Sequence, residues 1–496
     1  MKSTTSNPNS STVPRSPLAE LVSIAAPVVA TMTSYTLMQF VDKLIVSRIG
    51  PDPIYVSAQG DGGIAAFTPI SIAMGCLTVV NTYVSQNLGA GRPERGAAYA
   101  WNGMWIAIAW SILLIPYGLY LPEIFTAIGR EPRHVNLAAS YGQVLIFGSA
   151  LTMCTRCLAQ FFYGLHKPAV VFVASLTANI INLVLSVAFV HGKWGFPALG
   201  VVGSAIGTVI ATFVELAIPM AFFLGPTMNR LYGTRRAWRV SRQHVRDIMK
   251  LGWPGGLMFG NEMVCWTFFM VYLVGHFGGL HSTAGWIAHQ WMTLSFMPAV
   301  GISVALTATV GKCMGMGRPD LALQRVKVGM GIMVGYMCTC GLLFIIFRDP
   351  MIHLFIEKDT PPADVEQLVK LGSAMLIACA AFQFFDAVAM AVSGALRGAG
   401  DTLWPGVTTV ILAWTLIVGG GLAMVHFVPQ LSSLGPWIAA ASYIASLGIA
   451  LSIRFLGGKW KTIALVERRG DGSSTSLDAD ATNPAVAGAA TTDGIV

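Results

Sequence analysis

Apolar residues run along this chain in blocks of about 20, the length that carries a helix across a bilayer, with short polar turns between them. Reading these blocks predicts twelve transmembrane helices, centred near Thr31, Ala73, Ala107, Ala150, Ile180, Thr212, Glu262, Met297, Val334, Cys379, Leu416 and Ala445. The expected fold class is therefore an all-α polytopic membrane protein.

The pattern also repeats. Gly89-Ala90-Gly91-Arg92-Pro93-Glu94 closes one hydrophobic hairpin, and Gly315-Met316-Gly317-Arg318-Pro319-Asp320 closes another. The two phrases stand 226 positions apart (315 − 89), as do Gly75 and Gly301, while Pro27 and Pro254 stand 227 apart. One six-helix bundle has been duplicated head to tail, giving two six-helix lobes related by an internal repeat. Parallel repeats of this kind are a common construction for secondary transporters, with the substrate pathway between the halves. Pro27 and Pro254 interrupt the hydrogen-bond ladders of the first and seventh helices, either as static kinks that aid packing or as points of bending.

Composition agrees with a membrane chain. Hydrophobic residues make up 54% and charged residues 11%, against about 25% charged in soluble domains, and the mean hydropathy is +0.64. The net charge of +8 does not indicate nucleic acid, because the basic residues cluster in short loops, where they set topology. The loop between the sixth and seventh spans holds Arg230, Arg235, Arg236, Arg239, Arg242 and Arg246. Arg92, Arg95, Lys167, Lys312, Arg318, Arg325, Lys327 and Arg397 fall in other even-numbered loops, whereas odd-numbered loops balance bases with acids, as in Glu357-Lys358-Asp359. The positive-inside rule then puts both termini in the cytoplasm. The expected organisation is a disordered tail over 1–17, an N-lobe over 18–228, an Arg-rich inter-lobe loop over 229–246, a C-lobe over 247–460, and a disordered tail over 461–496. The first seventeen residues lack the apolar stretch of a cleaved signal. The eight cysteines lie mostly in apolar runs and read as helix-packing residues.

Few ionisable groups remain inside the spans, and they carry the chemistry. Asp42 lies in the first span, Glu262 in the seventh and Asp386 in the tenth. A carboxylate at the bilayer centre costs roughly 2.5–3.5 kcal/mol on insertion scales, so these acids are expected to face a wet cavity or a partner, or to be protonated. Helical spacing puts Tyr35 and Gln39 on the face of Asp42, Trp266 and Phe269 below Glu262, and Gln383 and Met390 beside Asp386. Carboxylates among Met and aromatic rings suit a lipophilic cation. Each acid has an alternative as a helix-pairing group or as a neutral acid packed in protein, and Lys43 either pairs with Asp42 or snorkels to the interface. Glu215 divides evenly between a cavity residue and a helix contact. Arg156 is expected against headgroups, His289-Gln290 as a bridge between helices with a proton relay as the alternative, and Asp61 as the cap of the second helix. The Gly-x-Gly-Arg-Pro turns lack the context of a nucleotide site, so energy is expected from an ion gradient.

With twelve spans, two lobes and these acids, the chain resembles the multidrug and toxic compound extrusion (MATE) transporters, most closely the NorM-type branch, over roughly Pro17 to Trp460. The marks are Phe40-Val41-Asp42, Ser85-Gln86-Asn87-Leu88-Gly89-Ala90-Gly91, Phe196-Pro197-Ala198-Leu199-Gly200, and Gly394-Ala395-Leu396-Arg397-Gly398-Ala399-Gly400-Asp401. The resemblance implies that Glu262 and Asp386 are the C-lobe cation-coupling acids, and that Asp42, Asn182, Ser186 and Thr208 form an N-lobe ion or substrate site. Ser186 stands where the family often has an amide or a carboxylate, and Lys43 where a small or hydroxyl residue is usual. It further implies a monomeric, non-enzymatic antiporter of the bacterial inner membrane, without cofactor, exporting cationic lipophilic molecules against Na⁺ or H⁺ by alternating access. Either ion is chemically admissible at Glu262 and Asp386. The presence of both acids gives a slight preference to Na⁺. The alternative on the same fold is a flippase for lipid-linked saccharides, which would favour a basic cavity. A membrane-embedded enzyme would need a metal or nucleophile constellation such as His-Glu-x-x-His, and the sequence has none.

Overall fold

The computed structural model describes residues 16–50, 52, 54–356 and 361–466, and among these the regular structure is entirely helical. Eleven helices are long and apolar enough to cross a membrane, and a bent pair brings the number to twelve. They are α1 (Pro17–Ser47), α2 (Ile54–Gly89), α3 (Glu94–Leu119), α4 (Pro132–Phe147 and Ser149–Gly164, bent by 49°), α5 (Pro168–His191), α6 (Gly200–Leu224), α7 (Arg242–Phe277), α8 (Gly279–Gly315), α9 (Pro319–Ile346), α10 (Pro362–Ala399), α11 (Leu403–Phe427) and α12 (Leu434–Leu456). Each centre expected from the sequence falls within its own helix.

The repeated glycine phrases end α2 and α8 in the same way. Gly91 and Gly317 have φ of 74° and 70°, a left-handed conformation that costs glycine nothing. The N–H of Arg92 then donates to the Asn87 carbonyl and that of Arg318 to the Cys313 carbonyl, each at 2.9 Å. Asn87 and Cys313 are themselves 226 positions apart, so the duplication extends to individual hydrogen bonds.

Within the first half α4 packs on α2, α3 and α6, and α5 packs on α6; within the second, α10 is the hub for α8, α9 and α12. Between the halves α1 packs on α8 and α2 on α7. Because the repeat carries α1 onto α7 and α2 onto α8, these are two copies of one contact, as about a pseudo-twofold axis. A Cβ added to Gly75 would stand 2.9 Å from the Cα of Gly256, and one added to Gly301 would stand 2.9 Å from the Cα of Val29.

Polar contacts join the halves near the basic hairpins. Glu20 of α1 pairs with Lys312 at 3.3 Å and with Arg325 at 2.9 Å. Thr82 Oγ1 donates to the Arg397 carbonyl at 2.9 Å, Gln86 Nε2 to the Gly398 carbonyl at 3.0 Å, and the Tyr99 hydroxyl to Asp247 at 3.2 Å.

Several expectations change. Asp61 lies inside α2, not at its start, and bonds Arg130 at 2.7 Å and His134 at 2.9 Å; Asp52 is the residue whose carboxylate accepts from the Ile54 N–H. The inter-lobe segment is structured: α7 begins at Arg242, and Trp101 Nε1 and Trp105 Nε1 donate to the carbonyls of Thr234 and Trp238. Residues 461–466 are ordered, with Leu465 against Gly400. The tails over 1–15 and 467–496, and Glu357-Lys358-Asp359, lie outside the described residues.

Candidate functional site

Glu262 and Asp386 are both partly exposed, although each lies well inside a long apolar helix. Among the described residues neither carboxylate accepts a hydrogen bond or joins an ion pair. They lie within charge–charge range of each other, and Tyr443 of α12 is within range of both. The Tyr443 hydroxyl is buried without a partner. Two unpaired carboxylates and an unused hydroxyl make a polar lining that can hold a cation.

Three neighbours position this site. Asn261, adjacent to Glu262, accepts a 2.6 Å hydrogen bond from Trp414 Nε1, tying α7 to α11. Both helices pass into π-helical turns nearby, over Phe269–Val274 and Ala413–Gly420, a distortion that concentrates at functional sites. The third neighbour is Arg397, which sequence reading assigned to a loop. It lies in the last turn of α10, donates from Nη2 to Ser303 Oγ at 3.0 Å, and is within charge range of Glu262. Its Nε is buried and unpaired. The Arg-Gly-Ala-Gly phrase resembled a turn, and the signal that would have found the side chain is its place one helical stretch below Asp386 on the same helix.

The other residues expected around the acids divide. Trp266 and Met390 are partly exposed. Phe269 is fully buried, its ring against Trp437 at 5.2 Å and Trp266 at 5.4 Å, so it supports the wall without lining it. Gln383 is 1% exposed and donates to Ser295 Oγ at 3.0 Å. His289 is held edge-on between Trp266 and Trp286, a ring contact that joins α7 to α8.

In the first half, α1, α5 and α6 bring buried Asp42, Asn182 and Ser186 and half-buried Thr208 into one cluster. Ser186 Oγ donates to Asp42 Oδ1 at 3.1 Å, and Asn182 Nδ2 donates to Thr208 Oγ1 at 3.1 Å. Ser186 fits because Gly207 faces it: a Cβ there would crowd the Ser186 N–H at 3.2 Å. Asp42 is 7% exposed, and its direct side-chain partner is Ser186, not the exposed Lys43. Sequence reading missed the roof of this cluster, where Gln59 Nε2 donates to Ser204 Oγ at 3.4 Å and Tyr141 lies within charge range of Asp42.

A separate group occupies α1, α4 and α6. Tyr35 donates its hydroxyl to Glu215, and the Arg156 guanidinium lies over the Tyr35 ring at 3.9 Å. Arg156 therefore faces a ring inside the bundle, not the headgroups. Gln39, on the same helix as Tyr35, is exposed.

Comparison with known proteins agrees with this architecture. A probable multidrug resistance protein NorM of Pseudomonas syringae pv. tomato is 27% identical over 461 residues, 92% of this chain and 97% of that protein. One of the same name from Thermotoga maritima is 28% identical over 414 residues, 80% of this chain and 83% of that protein. Among solved structures, a MATE protein in complex with MaL6 superposes with a TM-score of 0.80 at 20% identity, covering 89% of this chain and 97% of that one. A MOP-superfamily transporter from Pyrococcus furiosus superposes with a TM-score of 0.81 at 20% identity, covering 90% and 97%. The MatE family model matches residues 27–188 and 261–420, a stretch of each half that takes in both acid-bearing regions and more than half of the chain. By fold, repeat and sequence, the chain belongs to the MatE family.

Proposed function

We propose that this chain is a multidrug efflux transporter that exchanges a cationic amphiphile for Na⁺ or H⁺ by alternating access of its two halves. The observation that carries the reading is the state of Glu262 and Asp386, two intramembrane carboxylates that are partly exposed and bonded to nothing. At that depth such groups face the bundle interior or a water-filled cavity, and acids left partly exposed without a partner favour the cavity. A lipophilic cation would neutralise the pair against the walls of Trp266 and Met390. A small cation competing for the same oxygens would then displace it.

The halves are sealed where the basic hairpins lie, through α1–α8, α2–α7 and the Glu20 ion pairs. With the basic hairpins in the cytoplasm, this conformer would be closed to the cytoplasm and would face outward. Asp42 with Ser186, and Asn182 with Thr208, would form a second oxygen-lined site whose occupancy biases the first half.

The test is transport in proteoliposomes of the full chain, first under an imposed Na⁺ gradient and then under an imposed pH gradient, with a cationic dye and an anionic control. Uptake driven by one gradient and confined to the cationic dye supports the reading and names the ion. Equal flux with both gradients collapsed would refute exchange.

A further inference from the structure

Contacts across the seam fix how α1 and α7 correspond. Glu20 of α1 pairs with Arg325 of α9, and Asp247 of α7 accepts from the Tyr99 hydroxyl of α3. Glu20 and Asp247 stand 227 positions apart (247 − 20), the same offset as Pro27 and Pro254, while Tyr99 and Arg325 stand 226 apart (325 − 99). The two helices therefore match residue by residue, and each sends one acid across to the other half. Their outer faces do not match. Ala19, Ser23 and Ala26 of α1 correspond to Arg246, Lys250 and Trp253 of α7, and all six are exposed.

Arg242, Arg246, Lys250, Trp253 and Leu257 recur every three or four positions, so they share one face of α7, and all are exposed. The other side of the helix is committed to the seam, where Gly252 and Gly255 lie against Cys76 and Gly75 of α2. Helical rise puts Arg246 about 10.5 Å and Lys250 about 4.5 Å above the level of Trp253, with Leu257 about 6 Å below it. Tryptophan settles at the boundary between headgroups and acyl chains, so the bases stand in the headgroup layer and Leu257 among the chains. Among the described residues, Arg242, Arg246 and Lys250 make no hydrogen bond or ion pair. The acid beside them, Asp247, is turned to Tyr99. Unneutralised bases directly above an exposed indole and a leucine are complementary to a molecule that is anionic at one end and apolar at the other. Topology alone asks only for charge in the loop. It does not account for Trp253, nor for the contrast with α1, whose equivalent face is small and uncharged.

We propose that the outer face of α7 binds an anionic phospholipid of the leaflet at the basic hairpins, with Arg242, Arg246 and Lys250 on its phosphate and Trp253 and Leu257 along its glycerol and upper chains. The guanidinium forks take phosphate oxygens in pairs, and each base adds to the attraction for an anionic headgroup. The site belongs to the second half alone. A soluble phosphate meets the bases but gains nothing from the indole, and so binds more weakly.

Native mass spectrometry of the purified full chain, titrated in detergent with phosphatidylglycerol or with phosphatidylcholine of the same chains, tests it. The wild type is expected to retain its first phosphatidylglycerol at a concentration roughly tenfold lower than its first phosphatidylcholine. Arg246→Gln with Lys250→Gln should weaken phosphatidylglycerol on the order of twentyfold, about fivefold for each base. Phosphatidylcholine should stay within about twofold. If that double variant is not recovered folded, the transplant of Ala19→Arg, Ser23→Lys and Ala26→Trp onto α1 decides. A second phosphatidylglycerol of similar affinity then supports the proposal, and its absence overturns it. Wild type without preference between the lipids would overturn the proposal, as would a double variant that keeps the full preference. Displacement of the lipid by an equal concentration of inorganic phosphate would assign the bases to soluble anions and overturn it too.

Discussion

Gly315 rests against the backbone of Gln86, and Gly89 rests against the backbone of Lys312, which is the repeat partner of Gln86. A Cβ on Gly315 would stand 2.8 Å from the Gln86 carbonyl carbon, and one on Gly89 would stand 2.9 Å from that of Lys312. No rotamer change relieves either clash, because the opposing atoms are backbone. Gly315→Ala should therefore disfavour the conformer closed at the basic hairpins by about 1–3 kcal/mol, the usual scale of overpacking. In a cysteine-free background, labelling of Thr82→Cys, buried on this seam in the wild type, should accelerate by roughly tenfold. Unchanged labelling would show that the seam yields without opening.

Glu262→Gln and Asp386→Asn each keep side-chain volume and remove a charge. Each is expected to abolish gradient-driven dye efflux while protein levels in the membrane stay normal, since neither carboxylate holds a structural bond. Quantified immunoblots alongside dye efflux check this. Full efflux by the double variant would remove these acids from the mechanism.

Arg397 lies in charge range of Glu262 and anchors on Ser303. A fixed positive charge there weakens cation binding at the acid. Arg397→Gln should lower the half-saturating concentration of the coupling ion several-fold and slow turnover, because the ion is released less readily. An unchanged half-saturating concentration would assign Arg397 a packing role only, and a raised one would overturn the electrostatic reading. The measurement is initial dye flux against ion concentration.

Ser186 supplies Asp42 with its direct side-chain hydrogen bond at 3.1 Å. Ser186→Ala leaves a buried carboxylate short of a donor and should cost about 1.5–3 kcal/mol, as for hydrogen bonds to charged groups. The effect should appear as a lower unfolding midpoint for the detergent-solubilised protein. Asp42→Asn in the same background should recover part of the loss, since the charge that needed solvating is gone.

Much of this arrangement was legible in the residues themselves. Hydropathy placed every span, because a bilayer imposes one length on every crossing helix. The Gly-x-Gly-Arg-Pro phrases disclosed the duplication, because a left-handed cap at a close backbone contact admits little besides glycine. The acids were conspicuous for their cost. Contacts across the repeat were not legible: Arg397 reads as a loop base until α10 is seen to run on through it, and Arg156 reads as a headgroup ligand until α4 is seen to be enclosed. Asp61 misled for a local reason, since the true start of α2 lies seven residues earlier, at Ile54, with Asp52 as its acceptor. Phe269 shares a helical face with Glu262, but the π-turn that begins at this residue rotates it into the core.

At Gly75, Gly301, Gly89 and Gly315 the two halves meet with main chain lying on main chain, and no side chain fits between. Such a surface has two settings, shut or parted, and offers no intermediate fit for a visitor to exploit. The door is therefore indifferent to the shape of what passes, and discrimination is left to the room behind it. A pump built this way can widen its repertoire by exchanging wall residues while its hinge chemistry stays fixed.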